Sequence, residues 1–520
     1  MNRITILPAL LLLAFGSQWT TDSKCDAEEL MSPLTASRLG LEEVWRRQMR
    51  LPGGAASIVD QQIIVNTENP REYVEVLGKA AEGQQPPVLF RIPTDQAGPN
   101  GQPIGKEEAE RLARREERRL KRRHPETTIS SRVVPRIQMF TAAKNGTIEC
   151  RDAESGAPIW MTQVGDHRLH FGKMGIDDKF VSITNGGNLI KIDATNGEPI
   201  KTIRTTSMPL YGAVNAGDFA LVPTIRNGVE GYPLEDITID PFMEIVAGLC
   251  LEPPTKSPSS SKVAWATDRG FVYVMELSGR PSVLFRLNTD GLVSGRIAAA
   301  SGDRFFFGSE AGQVYGVEAT RTGDVLWSRP YGEPFYNAPF LVEGMVMMVS
   351  TYGNLYALDE KTGLSRWENA TPNVDEVLGG FDGKLYVRLL SRSFAVIDLK
   401  TGNFLENDPS LLPITMLVNR TTDRLYLVNS QGTVQCLRTI GHDLPTLSES
   451  KSAEEKEATD ETKTEAKPDK PAAPTTDPFG AADPFGAGGG DPFGAGAAGG
   501  SPDAMDDPFA TPAGADPFGG

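Results

Sequence analysis

Short runs in which apolar and polar positions alternate recur along most of this chain. In the stretch "YALDEKTGLSRW", Tyr356 to Trp367, Leu355, Ala357 and Asp359 fall on one face of a strand and Tyr356 and Leu358 on the other. A period of two marks a β-strand, and apolar residues on both faces mean that both faces are covered. A turn glycine (Gly353) precedes the run, an aspartate ends it, and a Thr-Gly turn leads to a short strand ending in tryptophan. The same unit is anchored on Gly146, Gly187, Gly228, Gly270, Gly312 and Gly353. Arg392 stands in the glycine's place in "SRSFAVIDLKTGNFL", and Gly432 closes the series. The steps between anchors are 41, 41, 42, 42, 41, 39 and 40 residues. A repeat of about 40 residues with some four short strands per unit predicts a β-propeller. The expected class is all-β: an eight-bladed β-propeller with a short inserted helix and a disordered C-terminal tail, the ring spanning residues 41–442.

Each repeated position has a packing role. Asp152, Asp193, Asp359 and Asp398 are placed to bond the backbone of the turn that follows them. Gly156, Gly197, Gly323, Gly363 and Gly402 let that turn close. Trp160, Trp327 and Trp367 are expected to lie flat across the interface between blades, where aromatic burial is most valuable. The last copy, "TVQCLRTIGHD", lacks an outer strand and a tryptophan. Far upstream, "LEEVWRRQM", Leu41 to Met49, carries Trp45 without a preceding partner. This segment is expected to supply the missing strand and tie the two ends of the ring together, which hides both sheet edges. A helix over Thr35 to Met49 is the competing reading, from Glu42 and Glu43 followed by Arg46 and Arg47.

Residues 67–130 exceed what one blade needs. "AASIVDQQIIVNT" reads as the innermost strand of the first blade, and "YVEVLG" and "VLFRIP" as an inserted hairpin. Gly105 to Pro125 has no helix breaker inside, acids first and bases last, an order that suits the helix dipole. With Leu112, Ala113 and Leu120 as its apolar residues, it reads as a solvated or lightly docked helix, whose basic half could meet an anionic lipid or an acidic partner.

Composition changes the picture mainly at the two ends. Arg3, the apolar run Ile4 to Phe15 and the small residues Ala14 and Gly16 read as an export signal over residues 1–16, with 17–40 as a linker. Cys25 follows Thr21-Asp22-Ser23-Lys24, which does not suit a lipid-modified cysteine. The net charge is −16; Asp443 to Gly520 holds 16 acids and 5 bases, hence −11 of it. The acidity therefore belongs chiefly to the tail and argues against nucleic-acid binding. Residues 443–520 have too little apolar surface to offset ordering entropy. They repeat Asp-Pro-Phe five times, presenting Phe479, Phe485, Phe493, Phe509 and Phe518 as candidate partner-binding stickers on spacers; the competing reading is a low-complexity spacer that keeps the propeller soluble.

Candidate chemistry is sparse. The four cysteines form no C-x-x-C pair, and Cys150 and Cys436 occupy the same slot of their repeats, where free thiols are expected. His167 and His170, on a strand, would point to opposite faces. No P-loop and no G-x-S-x-G is present. No catalytic, metal or cofactor residue is assigned.

Ala357-Leu358-Asp359 with Gly363 and Trp367 fits an A-x-D-x-x-x-G-x-x-x-W pattern. By it, residues of about 130–440 resemble the pyrroloquinoline-quinone-like propeller repeat. One branch of that family, the quinoprotein dehydrogenases, implies a quinone and a calcium ion over the central channel, with a vicinal cysteine pair against the quinone. This sequence has no such pair and no C-x-x-C-H haem site. The BamB-like branch implies a non-catalytic periplasmic scaffold whose rim loops contact other proteins. The expectation is an exported, non-enzymatic scaffold without cofactor, binding proteins through its rim loops and multivalent tail. The alternative is a quinone-dependent dehydrogenase or a small-molecule binder using the central channel.

Overall fold

The computed structural model describes residues 30–448 apart from 52, 81–85, 97, 99–100, 236–237 and 409–414. The export signal, Cys25 and the five Asp-Pro-Phe phenylalanines lie outside the described residues. Within them the chain forms eight separate antiparallel sheets in sequence order. Each of the first seven is built from consecutive strands, because strands joined by tight glycine turns pair with their immediate neighbours. The first sheet holds Ile58–Leu77, Thr128–Ala143, Thr147–Asp152 and Pro158–Gln163, with Val88–Pro93 added at its edge. The second runs from Phe171 to Arg204, the third from Val214 to Ile245, the fourth from Thr255 to Asn288 and the fifth from Ala298 to Pro330. The sixth has three strands between Phe340 and Asp359, and the seventh runs from Val374 to Asp408.

The eighth sheet is completed from the other end of the chain. Leu41–Gln48 pairs antiparallel with Thr433–Thr439, placing Trp45 opposite Cys436. The strand reading of this segment holds and the helical one does not. The short strand Thr415–Leu417 is the innermost of this sheet. Eight apolar clusters fill the eight seams, one between each sheet and the next. The eighth-to-first seam gathers Trp45, Met49, Tyr426, Val428 and Cys436 against Ile63, Ile137 and Met139. The sheets therefore close a ring.

Two segments are more firmly seated than their composition suggests. Helix α1, Pro33–Arg38, is capped by the Ser32 hydroxyl, which accepts from the Thr35 N–H at 3.1 Å. Leu30, Met31, Ala36 and Leu39 around it are buried in the seam between the seventh and eighth sheets, so residues 30–40 are tied to the ring. Helix α2, Gly105–Leu120, is docked rather than solvated. Ala109 and Ala113 are fully buried against Val74, Val76 and Ile92, on the part of the first sheet that extends beyond the ring. Small alanine side chains let the helix approach the sheet closely, so few apolar residues suffice. Its exposed side carries Arg114, Arg115, Arg118 and Arg119.

Candidate functional site

The repeated residues meet at the seams. The Trp45 indole N–H donates to the Ala153 carbonyl at 2.9 Å, Trp160 to Ala194 at 2.8 Å, Trp327 to Glu360 at 3.0 Å and Trp367 to Leu399 at 2.9 Å. In every case the acceptor is the residue just after the strand-ending aspartate of the next sheet. That carbonyl faces the seam, and the indole satisfies it while burying a large ring.

The aspartate shapes the turn that receives the ring. Asp152 Oδ1 accepts from the Ser155 N–H at 2.8 Å, and Asp193 Oδ1 from Thr195 at 2.7 Å. Asp359 Oδ1 accepts from Thr362 at 2.8 Å, and Asp398 Oδ1 from Lys400 at 2.7 Å. The Thr195 hydroxyl and backbone hold the Asp193 carboxyl below its ordinary pKa. For Asp359, burial acts upward, but hydrogen bonds from Thr362 and Arg366 outweigh it and the net shift is downward. The glycine has φ near +70° and also lacks the atom that would strike the docked ring. A Cβ on Gly197 would come within 2.5 Å of Trp160, on Gly363 within 2.4 Å of Trp327 and on Gly402 within 2.7 Å of Trp367. A Cβ on Gly156 would meet Trp45 at 2.6 Å. Gly323 receives the ring of Phe285 in the same manner, a partner without a tryptophan signal in the sequence.

Sequence reasoning missed two ionic features. The second-to-third seam has no tryptophan; there the Lys191 ammonium donates to the Leu234 carbonyl. Burial lowers its pKa, and Lys201 adds to the effect. At the ring closure, Arg424 is fully buried and pairs with Glu154 and Asp423, each at 3.0 Å. Burial pushes the Glu154 carboxyl up in pKa despite Arg424 beside it. Nothing in local sequence flags the Lys191–Leu234 or Arg424–Glu154 contact, since each joins residues far apart in the chain.

The thiols of Cys150, Cys250 and Cys436 are free and buried. Burial raises all three pKa values, that of Cys250 to about 12. His167 sits in an exposed turn between the first two sheets rather than on a strand, so the alternation argument for it and His170 does not apply.

The innermost strands face the ring axis. A cavity of about 240 Å³ opens there, lined by Gln62, Lys173, Asn215, Lys256 and Arg296 among others. Half-buried Arg296 lines this cavity, where desolvation lowers its pKa; desolvation together with the Arg296 charge brings Arg420 down to about 10. Among the described residues no group of three or more His, Cys, Asp and Glu is gathered to hold a metal. With the vicinal cysteine pair also missing from the sequence, this donor set does not fit a quinone–calcium centre.

Sheets of this size and order, packed seam to seam around an axis, define a β-propeller. Residues 259–439 match the family model described as outer membrane protein assembly factor BamB. The described residues fold as a β-propeller, and the matched part is similar to the PQQ-like repeat family. Among solved structures, BamB from Moraxella catarrhalis is 17% identical, covering 59% of this chain and 92% of its own, with a TM-score of 0.45. The computationally designed Ika8 protein is 14% identical, covering 57% and 92%, with a TM-score of 0.44. Sqt1 from Saccharomyces cerevisiae is 8% identical, covering 57% and 92%, with a TM-score of 0.45. No curated protein matches the chain. Among the described residues, no helix is long and apolar enough to cross a membrane.

Proposed function

We propose that this protein is an exported, non-catalytic propeller that serves as a protein-binding scaffold at the cell envelope. The observation that carries the reading is one face of the ring. Ile225, Tyr352 and Leu390 stand exposed at the hairpins between second and third strands, and Leu169, Met208 and Tyr336 on the loops that cross between sheets. The two kinds of connection lie at the same end of the sheets. Leu169 packs beside Gly186, the Met208 carbonyl accepts from the Ile225 N–H at 3.1 Å, and Leu390 covers Gly353. A set of apolar side chains left exposed at loop tips on one face marks a surface for another protein.

The family description names an outer-membrane assembly factor, and a role in assembling outer-membrane proteins is the finer form of this proposal. The Asp-Pro-Phe tail adds a second, multivalent contact. Affinity capture from the native envelope tests both parts. Ile225→Glu with Tyr352→Glu and Leu390→Glu is expected to lose partners that wild type retains, and removal of residues 443–520 to lose a further set. Identical partner sets for all three proteins would overturn the scaffold reading. Oxidation of alcohols or sugars after addition of the quinone and Ca²⁺ would overturn its non-catalytic part.

A further inference from the structure

The part of the first sheet that extends beyond the ring, with α2 docked on it, forms an arm. It continues the link between first and second strands, so it stands at the opposite end of the sheets from the apolar loop tips. Its helix ends in a basic run: Arg114 to His124 holds seven bases and two acids, a net charge of +5 in a chain of −16. Part of that charge is answered locally, by Glu110 with Arg114 at 3.2 Å, Glu116 with Arg119 at 3.4 Å and Glu117 with Lys121 at 2.9 Å. Arg115, Arg122 and Arg123 make no ion pair or side-chain hydrogen bond with a described residue, and Arg118 reaches only the Arg114 carbonyl. All four are exposed. Arg114 and Arg118, and Arg115 and Arg119, are like charges four residues apart, a spacing that destabilises a helix unless something offsets it.

The place where the described chain ends supplies an independent observation. Beyond Thr433–Thr439, the Asp443 carboxylate pairs with Arg438 at 3.1 Å and approaches Arg91 at 3.9 Å. Arg91 stands on Val88–Pro93, the edge strand of the arm, and its neighbour Ile92 packs in one cluster with Ala109 and Ala113 of α2. Successive side chains of a strand point to opposite faces, so the chain leaving Asp443 has a single sheet edge to round to meet the helix. Ser448, whose N–H donates to the Thr421 carbonyl at 2.9 Å, is the last described residue. The thirteen residues that follow, Glu449 to Glu461, hold six acids and two bases. A flexible segment of that length has a root-mean-square span of about 20 Å and a full reach of about 45 Å, against about 24 Å for the whole helix.

We infer that the basic face of α2 is covered by the chain's own acidic segment, Glu449 to Glu461, its carboxylates paired with Arg115, Arg118, Arg122 and Arg123. Tethering holds the segment beside the helix at a high effective concentration, so ion pairs that are individually weak suffice. An anionic lipid surface offers the same charge, but only the segment is anchored next to these arginines. The contact closes the arm to other anionic surfaces, and salt or a competing polyanion opens it.

Coupling of lysine amines to carboxylates with a water-soluble carbodiimide, read by mass spectrometry on the full chain, tests this. Lys106 and Glu72, 2.5 Å apart, supply a reference link that also reports the fold of the arm in every sample. Wild type is expected to join Lys79 or Lys121 to Glu454, Glu455, Glu457, Asp460 or Glu461, with a yield that falls about fivefold between about 50 mM and about 500 mM salt. Arg115→Gln with Arg118→Gln and Arg122→Gln, at residues that take no part in the coupling, is expected to lower the yield about tenfold. Arg226→Gln with Arg269→Gln and Arg392→Gln, an equal charge change at exposed turns of the ring, is expected to leave it unchanged. Absence of these links while the reference forms, or equal yields from the two triple variants, would overturn the proposal. Links between labelled and unlabelled chains in an isotope mixture would assign the face to a second copy and overturn it as well. So would equal binding of wild type and of a chain lacking residues 449–520 to phosphatidylglycerol vesicles through the same arginines, since the face would then be open.

Discussion

The eighth-to-first and second-to-third seams solve the same problem differently. Both must satisfy a carbonyl at the edge of the next sheet. At the closure, Trp45 does so with an indole N–H and fills the seam with its ring, alongside Tyr426 at 6.2 Å between centroids. At the second-to-third seam, Lys191 does so with an ammonium whose pKa is lowered by burial, and the apolar cluster there is smaller, built on Leu189, Val222 and Leu234. The closure joins chain ends nearly four hundred residues apart, so it must offset a larger loop entropy. Aromatic burial is stronger there than a single polar contact would be.

That contrast is open to measurement. Trp45→Ala is expected to cost about 4 kcal/mol in urea unfolding, from lost burial and a cavity at the closure, whereas Lys191→Met is expected to cost about 1 kcal/mol. Equal costs would mean that the ring is not held chiefly at its closure. Arg424→Met leaves Glu154 and Asp423 buried without their cation and should cost about 3–5 kcal/mol. Adding Glu154→Gln should recover part of that loss, and a double variant no better than the single one would show that the pair is not coupled.

The turn glycines separate two causes of one effect. Gly363→Ala meets both a φ of +66° and the Trp327 ring, whereas Gly332→Ala, at a φ of +73°, meets nothing within 4 Å. The second is expected to cost about 1–2 kcal/mol for the left-handed backbone alone, the first clearly more. The smallest effect concerns pH. Asp193 and Asp359 have folded pKa values below their unfolded ones, so their stabilisation is complete above about pH 4 and disappears as pH falls through the folded values. Asp193→Asn with Asp359→Asn should therefore flatten the fall of Tm between about pH 4 and 2 without steepening it at neutral pH.

Much of the seam was legible in the sequence because its parts are local. Gly363, four residues after Asp359 and four before Trp367, sets a turn whose chemistry depends only on neighbours along the chain. The closing strand was legible through what the last repeat lacked and Trp45 supplied. Phe285 was not, since it lies outside the tryptophan slot, and Lys191 reads as any other strand lysine. Arg424, Glu154 and Asp423 are unremarkable until the first and eighth sheets are brought together. The docking of α2 through Ala109 and Ala113 was underestimated because alanine carries a weak apolar signal, although it permits the closest packing.

By itself the sequence determined the module: alternating strands, an aspartate-capped glycine turn and the number of times the unit recurs. Those features follow from backbone geometry within some forty residues, and each copy states them again. Only the tertiary structure decided which ring lies on which turn and which carbonyl each indole meets. These residues come from different sheets, and no spacing along a chain encodes a meeting that ring closure alone brings about.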